Sequence, residues 1–397
     1  MSEKYDVVIF NMSTFHDWER GIVNRNYFIL NNLAKEERIN KIVAVDLLPL
    51  SFRQLVKHYW QNIFRGVNTA EMIYGDLTSA CFQKTDKIFV YSTIDSFFSL
   101  KYVARELKRI EKILNLKNII FWSYNPLFTE FIGKLNEKLF IFDTVDNWSE
   151  HPSYTRLLSK NKILQNYKTI SEKANVIFTV SNELLDFYKG FGRDKDVYWV
   201  PNGVAYDHYN NPDHIKQENQ LSTVTKKVIG YLGTIQERID LDLITKIAEK
   251  HSDKIIAMCG PVWPSIRKEV NEKLGKYENI IFTDRVNYQM APSYMNRFDV
   301  AIIPHKLDNF INSTNPMKMY EYLACGKPIV STAGAGIEMF TDYIYITNKA
   351  DQFVSYIDRA LSEDTPEKQN ARRTVAREHS WNSRVDRMVE IIKEKLQ

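Results

Sequence analysis

Lys318 and Glu321 stand three residues apart in Ser313-Thr-Asn-Pro-Met-Lys-Met-Tyr-Glu-Tyr-Leu-Ala-Cys-Gly-Lys-Pro-Ile-Val-Ser331. That spacing puts a cation and a carboxylate on adjacent turns of a short helix beginning near Pro316. A helix start offers unpaired N–H groups and a positive dipole end to an anion. Glu321, one turn on, stands where a carboxylate accepts both hydroxyls of a ribose. Phosphate at the helix start and sugar one turn down would make a nucleotide site. The same spacing also fits an ordinary surface helix that leads through a Gly-Lys-Pro turn into a buried strand.

Further candidates lie where strands end, because ligands of open parallel sheets gather at their carboxyl ends. In Gly230–Asp240, Gly233 lets the backbone approach a ligand closely. Arg238 offers a bidentate fork to a diphosphate, or else decorates a helix-capping loop. Gly260-Pro261 makes a turn of a kind that is structural more often than not. After the expected strand Val300–Ile303, His305 and Lys306 can meet a sugar hydroxyl, a carboxylate or solvent. In the first half, Asp143-Thr-Val-Asp146-Asn-Trp148 closes a strand with His151 nearby. Asp146 is favoured as a base for an acceptor hydroxyl and Asp143 as an interior hydrogen-bonding residue; the alternative is that both only hold a turn. His16 and Trp18, in a loop whose one glycine is Gly21, suggest hydrogen bonding and stacking to a sugar.

The elements that must position these groups follow from patterning. Short apolar runs alternate with helical patterns along all 397 residues, which predicts parallel sheets wound by helices. Expected strands are Asp6–Phe10, Lys41–Leu47, Ile88–Thr93, Asn118–Trp122, Leu139–Asp143, Val176–Val180 and Val197–Val200. A second series covers Val228–Leu232, Ile255–Cys259, Ile280–Thr283, Val300–Ile303, Pro328–Ser331 and Ile344–Thr347. The polar stretch Asn210–Thr225 has no apolar periodicity and is expected to be a linker. Two Rossmann-like domains follow, 1–205 and 206–380, with a final amphipathic helix at 381–397 that carries Trp381, Val385, Met388, Ile391 and Ile392 on one face.

Composition sets the class. Hydrophobic content of 44% with 26% charged residues describes a globular protein. No apolar run reaches the roughly 18 residues of a membrane span, and the N-terminus lacks a signal-peptide layout, so a cytoplasmic location is expected. Cys81, Cys259 and Cys325 match neither a disulfide framework nor a zinc site. A net charge of +4 gives no argument for nucleic acid but tolerates an anionic substrate or membrane. Residues 52–65 are basic and aromatic, with Phe52, Leu55, Val56, Tyr59, Trp60, Ile63 and Phe64 at helical spacing beside Arg53, Lys57, His58 and Arg65. Such a helix lies in an anionic membrane interface or packs as a core helix with a solvated face.

The 313–331 segment resembles the nucleotide-sugar motif of GT-B glycosyltransferases of the large retaining family four, nearest its teichuronic-acid transferase branch. The family signature is Glu, seven spacers, Glu; here Glu321 is the second and Ser313 stands in place of the first. The family loop after Gly233 carries an Arg and then a Lys, here Thr234 and Arg238, so a single cation replaces a pair and Lys318 is expected to share its task. Thr283-Asp284-Arg285-Val286 matches the segment bracketing the nucleobase, with Arg285 stacking on it, and the Gly260 loop matches one packed against base or phosphate. The resemblance implies two domains facing a cleft and a last helix returning to the first domain. It implies a glycosyltransferase of the hexosyltransferase class that needs no metal or other cofactor. Donor residues would be Gly233, Thr234, Arg238, Gly260, Arg285, His305, Ser313, Asn315, Pro316, Met317, Lys318 and Glu321. Acceptor residues would be His16, Trp18, Gly21, Asp146 and His151, with Asp146, Arg238 and Lys318 catalytic. The implied partners are a nucleoside-diphosphate sugar, UDP favoured, and a bacterial surface-polysaccharide or lipid-linked acceptor. Two other readings stay open: a nucleotide-sugar epimerase of the same fold, and a non-catalytic sugar-nucleotide or glycan-binding subunit, which the Ser313 departure supports.

Overall fold

A computed structural model describes residues 3–47, 52–64, 71–155, 158–334 and 336–397. The chain divides into two compact units. The first comprises residues 1–180, 184–200 and 385–397; the second comprises 181–183 and 201–384.

The first unit is built on a nine-stranded sheet in the order β3-β4-β5-β2-β1-β6-β7-β8-β9. Its strands are β1 Tyr5–Phe10, β2 Ile39–Asp46, β3 Glu71–Gly75, β4 Ser79–Gln83, β5 Ile88–Thr93, β6 Ile120–Ser123, β7 Leu139–Thr144, β8 Val176–Thr179 and β9 Val197–Trp199. Seven strands run parallel, and β3 and β4 add an antiparallel hairpin at one edge. That hairpin was not expected from the sequence. Its turn is held by Asp76, whose carboxylate accepts from the N–H groups of Thr78 and Ser79, both at 2.8 Å, so side-chain chemistry rather than an apolar run defines it. Residues 385–397 pack in this unit, with Val385, Met388, Ile391 and Ile392 buried. Lys395 pairs there with Asp196 at 2.5 Å.

The second unit has six parallel strands in the order β12-β11-β10-β13-β14-β15. They are β10 Val228–Leu232, β11 Ile255–Cys259, β12 Ile280–Thr283, β13 Val300–Ile303, β14 Ile329–Ser331 and β15 Tyr345–Ile346. Alternate side chains feed two different cores. Val228, Ala257, Cys259, Ala301 and Ile303 join one, and Ile229, Ile256, Met258, Val300 and Ile302 join the other. Helices therefore cover both faces, and each strand reads as a continuous apolar run. The strand order reverses between β10 and β13, so the loops after those two strands share the switch point where ligands of such sheets bind.

The expected linker is not one. Residues 210–225 lie inside the second unit, where Leu221 is fully buried. The Arg297 guanidinium donates to the carbonyls of Leu221 and Val224 at 3.1 and 2.6 Å. A segment anchored by backbone carbonyls and one leucine carries no periodic signal. The change of unit falls instead at Val200–Pro201.

Candidate active site

The helix Met317–Ala324 is set by two tyrosines. Tyr322 Oη accepts from the Leu232 N–H at the end of β10, 2.8 Å away, and Tyr320 Oη donates to Asn315 Oδ1 at 2.9 Å. Pro316 occupies the N-cap without any side-chain cap bond, which leaves the first-turn N–H groups available to an anion. The helix is buried on most of its surface through Met319, Tyr320, Tyr322, Leu323 and Ala324. Lys318 and Glu321 remain half-buried.

Lys318 lies across Gly233. A Cβ at position 233 would stand 3.2 Å from Lys318 Cε and 3.5 Å from Nζ, and φ there is +145°, a conformation open to glycine. The ammonium sits 5.1 Å from the centre of the Tyr231 ring, a favourable cation–π distance. Gly260 is equally constrained, with φ +140° and its Cα against the Gly233 carbonyl, so that any Cβ would collide. The two strand-end loops are thereby laced together, with Gly233 N–H donating to Cys259 O at 2.8 Å and Ile235 N–H to Pro261 O at 3.0 Å.

The loop after β13 joins them. Lys306 N–H donates to Arg238 O at 2.8 Å, and His305 bridges Ile239 in an antiparallel pair. Arg238 is half-buried, with the Gln236 amide against its guanidinium. His305 is 3% exposed, and among the described residues its Nε2 has no hydrogen-bond partner. Burial, then the Lys318 and Arg238 charges, hold its pKa well below the ordinary value. Burial and the neighbouring Arg238 lower the Lys318 ammonium to about 7, against a pull upward from Glu321. Burial raises Glu321, while a hydrogen bond from Tyr209 and the Lys318 charge oppose it. Among the described residues neither Arg238 nor Lys318 has a carboxylate within ion-pairing distance. Two adjacent cations withdrawn from water without an anion are costly, and the arrangement is suited to hold one.

Gly233, Thr234, Arg238, Gly260, His305, Pro316, Met317, Lys318 and Glu321 thus lie on loops and a helix that the second unit brings to one switch point. Arg285 stands exposed on the loop after β12. Ser313 and Asn315 turn inward. The Ser313 hydroxyl donates to Phe310 O at 2.7 Å. Asn315 accepts from Asn202 N–H at 2.9 Å and from Tyr320, so both residues shape the approach to the helix.

In the first unit Trp18 is not a sugar platform. It is 4% exposed and its indole N–H donates to Ser13 Oγ at 2.8 Å, because the short helix Phe15–Glu19, capped by Thr14, turns it inward. His16 is half-buried with Nδ1 3.8 Å from Glu19, and Gly21 follows the helix at φ +75°. Asp146 and His151 lie half-buried beyond β7. Asp146 O accepts from Tyr167 Oη at 3.1 Å, and the His151 ring is 4.8 Å from that of Tyr154. Asp143 is fully buried and pairs with Arg25, Nε to Oδ2 at 3.0 Å. Arg25 escaped sequence reasoning, since its partner is 118 residues away. The segment 52–64 is an α-helix, Phe52–His58, that continues as a π-helical turn, Tyr59–Phe64. Its seven-residue apolar face does not survive: Leu55 and Ile63 are buried, but Val56, Trp60 and Phe64 are 46, 56 and 48% exposed. Arg65 and the Arg53 side chain lie outside the described residues. Among the described residues no three His, Cys, Asp or Glu side chains cluster as metal ligands, and no helix is long and apolar enough to cross a membrane.

Residues 241–390 match the family described as glycosyl transferase-like. A curated relative, the putative teichuronic acid biosynthesis glycosyltransferase TuaH of Bacillus subtilis (strain 168), is 28% identical over 255 residues. That match covers 61% of this chain and spans only 64% of the relative's length. Among solved structures, Anabaena HepE in complex with UDP and glucose aligns at a TM-score of 0.70 with 13% identity, over 98% of this chain and 100% of that one. Sucrose-phosphate synthase from Thermosynechococcus elongatus aligns at 0.68 with 11% identity, over 98 and 99%. These likenesses identify the fold as GT-B.

Proposed function

The chain carries a glycosyl transferase-like domain on a GT-B fold, and from that premise we propose that it is a glycosyltransferase using a nucleoside-diphosphate sugar. The observation that carries this reading is the pair Arg238 and Lys318, converging beside Gly233 and the uncapped start of Met317–Ala324. A diphosphate placed there meets a guanidinium, an ammonium and backbone N–H groups. All three stabilise the charge that develops as the sugar leaves. Glu321, one turn along, accepts the ribose hydroxyls. UDP is the favoured carrier, since HepE is solved with UDP and glucose.

The finer assignments belong to the same proposal. Leaving-group charge is carried by Arg238 and Lys318, so transfer proceeds without a metal, and configuration is retained as in family four. Asp146 serves the acceptor hydroxyl. The acceptor is a bacterial surface polysaccharide or a lipid-linked glycan, in keeping with the teichuronic acid relative. A peripheral position on the inner face of the membrane is supported by the outward ridge of Val56, Trp60 and Phe64 beside exposed Lys57.

UDP binding tests the core of the proposal. A ligand that binds the native state alone must raise the melting temperature, by about 2.7 kcal/mol of stabilisation at a hundredfold excess over Kd. The expected result is a rise with UDP that Lys318→Ala and Arg238→Ala abolish. An undiminished rise in both variants would remove the site. Asp146→Asn should lower turnover and leave UDP affinity intact.

A further inference from the structure

The second unit carries a cavity of about 350 Å³ at the amino ends of its strands, on the side opposite the switch point. Lys227 precedes β10, Asp299 precedes β13 and Lys327-Pro328 precede β14, and all four residues line it. Ligands of such sheets usually collect at the carboxyl ends, so this pocket is separate from the site described above. Cys325, the C-cap of Met317–Ala324, also lines it. Eight residues of helix, roughly 12 Å at the usual rise, therefore stand between the pocket and the Pro316 end.

The charges around the cavity are unequally answered. Asp299 accepts from Lys227 Nζ and from the Val228 N–H, both at 2.8 Å. Asp364 pairs with Arg372 and accepts from Gln369 Nε2 at 2.8 Å. Lys327 and Arg373 meet only neutral oxygens. Lys327 Nζ donates to Asn296 O at 2.7 Å, and Arg373 donates to Asn370 Oδ1 at 3.3 Å and Cys325 O at 3.4 Å. Among the described residues neither cation has a carboxylate within ion-pairing distance. Asn296 and Cys325 stand at the ends of two helices, Ala291–Asn296 and Met317–Ala324. Each such end carries at most about half a negative charge, so the two together offset one cation and leave the other unanswered. Burial lowers the Lys327 ammonium; Cys325 and Asp299 oppose that fall and Arg373 adds to it.

The guanidinium is also held in place. Gly326 lies at φ +69°, and a Cβ there would stand 2.7 Å from Arg373 Cζ, so the planar fork rests on the Gly326 backbone. A cation fixed before its ligand arrives loses little freedom on binding. A fork beside an ammonium suits the oxygens of a phosphate. The cavity lies at the small end of the roughly 300–1,000 Å³ typical of small-molecule sites, and Asp299 and Asp364 offer acceptors to hydroxyl groups.

We propose that this pocket binds a small phosphate monoester carrying hydroxyl groups, a sugar phosphate by chemical class. The assignment is independent of the glycosyl-transfer reading.

Thermal shifts of the full chain with a panel of hexose and pentose phosphates, beside inorganic phosphate and UDP, test it. At least one sugar phosphate should raise the melting temperature, and the rise should persist in the double variant Arg238→Ala/Lys318→Ala. Its affinity should fall about tenfold or more in Lys327→Met and in Arg373→Gln, a tenfold loss being about 1.4 kcal/mol, with the UDP shift unchanged. If circular dichroism shows Arg373→Gln misfolded, Lys327→Met decides alone. The proposal is overturned by no shift with any sugar phosphate, by a shift lost in the Arg238→Ala/Lys318→Ala protein, or by affinity unchanged in the folded variants. Binding no tighter than that of inorganic phosphate overturns it as well. Absence of a UDP shift, with sugar-phosphate binding intact, would remove the transfer reading and leave this pocket standing.

Discussion

Each unit withdraws cations from water, and the two do so in opposite ways. In the first, Arg25 is 1% exposed and locked onto Asp143, itself fully buried. In the second, Arg238 and Lys318 crowd each other beside Gly233 with Glu321 only near enough to moderate Lys318. A buried cation with its own carboxylate is a closed structural unit. A lysine lowered by burial and by an adjacent arginine is an unfinished arrangement, which the proposed diphosphate would complete. The presence or absence of the partner separates scaffold from site.

Substitutions can break that contrast. Arg25→Ala should be the most damaging to folding, since it strands Asp143 without a counter-charge, at a cost of about 3–5 kcal/mol. Chemical denaturation would measure it, and a loss below about 1 kcal/mol would mean that the pair is not the closed unit described. Arg238→Ala and Lys318→Ala should instead lower turnover by about 10²–10³-fold each, on the scale of losing one transition-state donor. Their stability should hold or improve. For Lys318 the sign is clear: its folded pKa of about 7 lies below the unfolded value near 10.4. The unfolded chain therefore binds the proton more tightly, and stability from this group rises with pH between about 7 and 10. Lys318→Met should flatten that rise.

The same titration sharpens the comparison at smaller amplitude. Arg238, Glu321, His305 and the Tyr231 ring face Lys318. His305 is held neutral, so the lysine is the group that changes charge near pH 7. UDP affinity should fall as pH rises above about 7, by up to about tenfold per unit, and isothermal titration across pH 6–9 would show it. A pH-independent affinity, or the same fall in Lys318→Met, would dissociate the ammonium from the diphosphate. The smallest effect is expected at Trp60 and Phe64. Serine at both should leave stability within about 0.5 kcal/mol and abolish flotation with anionic vesicles; equal flotation would free the ridge from any membrane role.

Legibility in the sequence followed burial. The six strands of the second unit were readable because both faces are covered, which makes each an apolar run. The cation, carboxylate and helix start of the candidate motif were readable because they are local in the chain. The β3–β4 hairpin was not, since Asp76 and short alternations define it. Trp18 misled for a different reason: an indole in a strand-end loop looks like a platform, and only the fold shows that it points inward. Leu221 alone could not announce that residues 210–225 belong to a packed unit.

Local order determined the wound sheets, the strand-end loops and the start of Met317–Ala324 at Pro316, because periodicity and helix dipoles are properties of neighbours in the chain. Tertiary structure alone decided which charges are answered. Arg25 meets Asp143 across 118 residues, Lys318 meets Gly233 across 85, and the Asp46 carboxylate gathers three donors from two segments, Asn11 and Phe15 in one and Ser92 in the other. Charge compensation depends on distance in space and on exclusion of water, and neither is written in the order of residues.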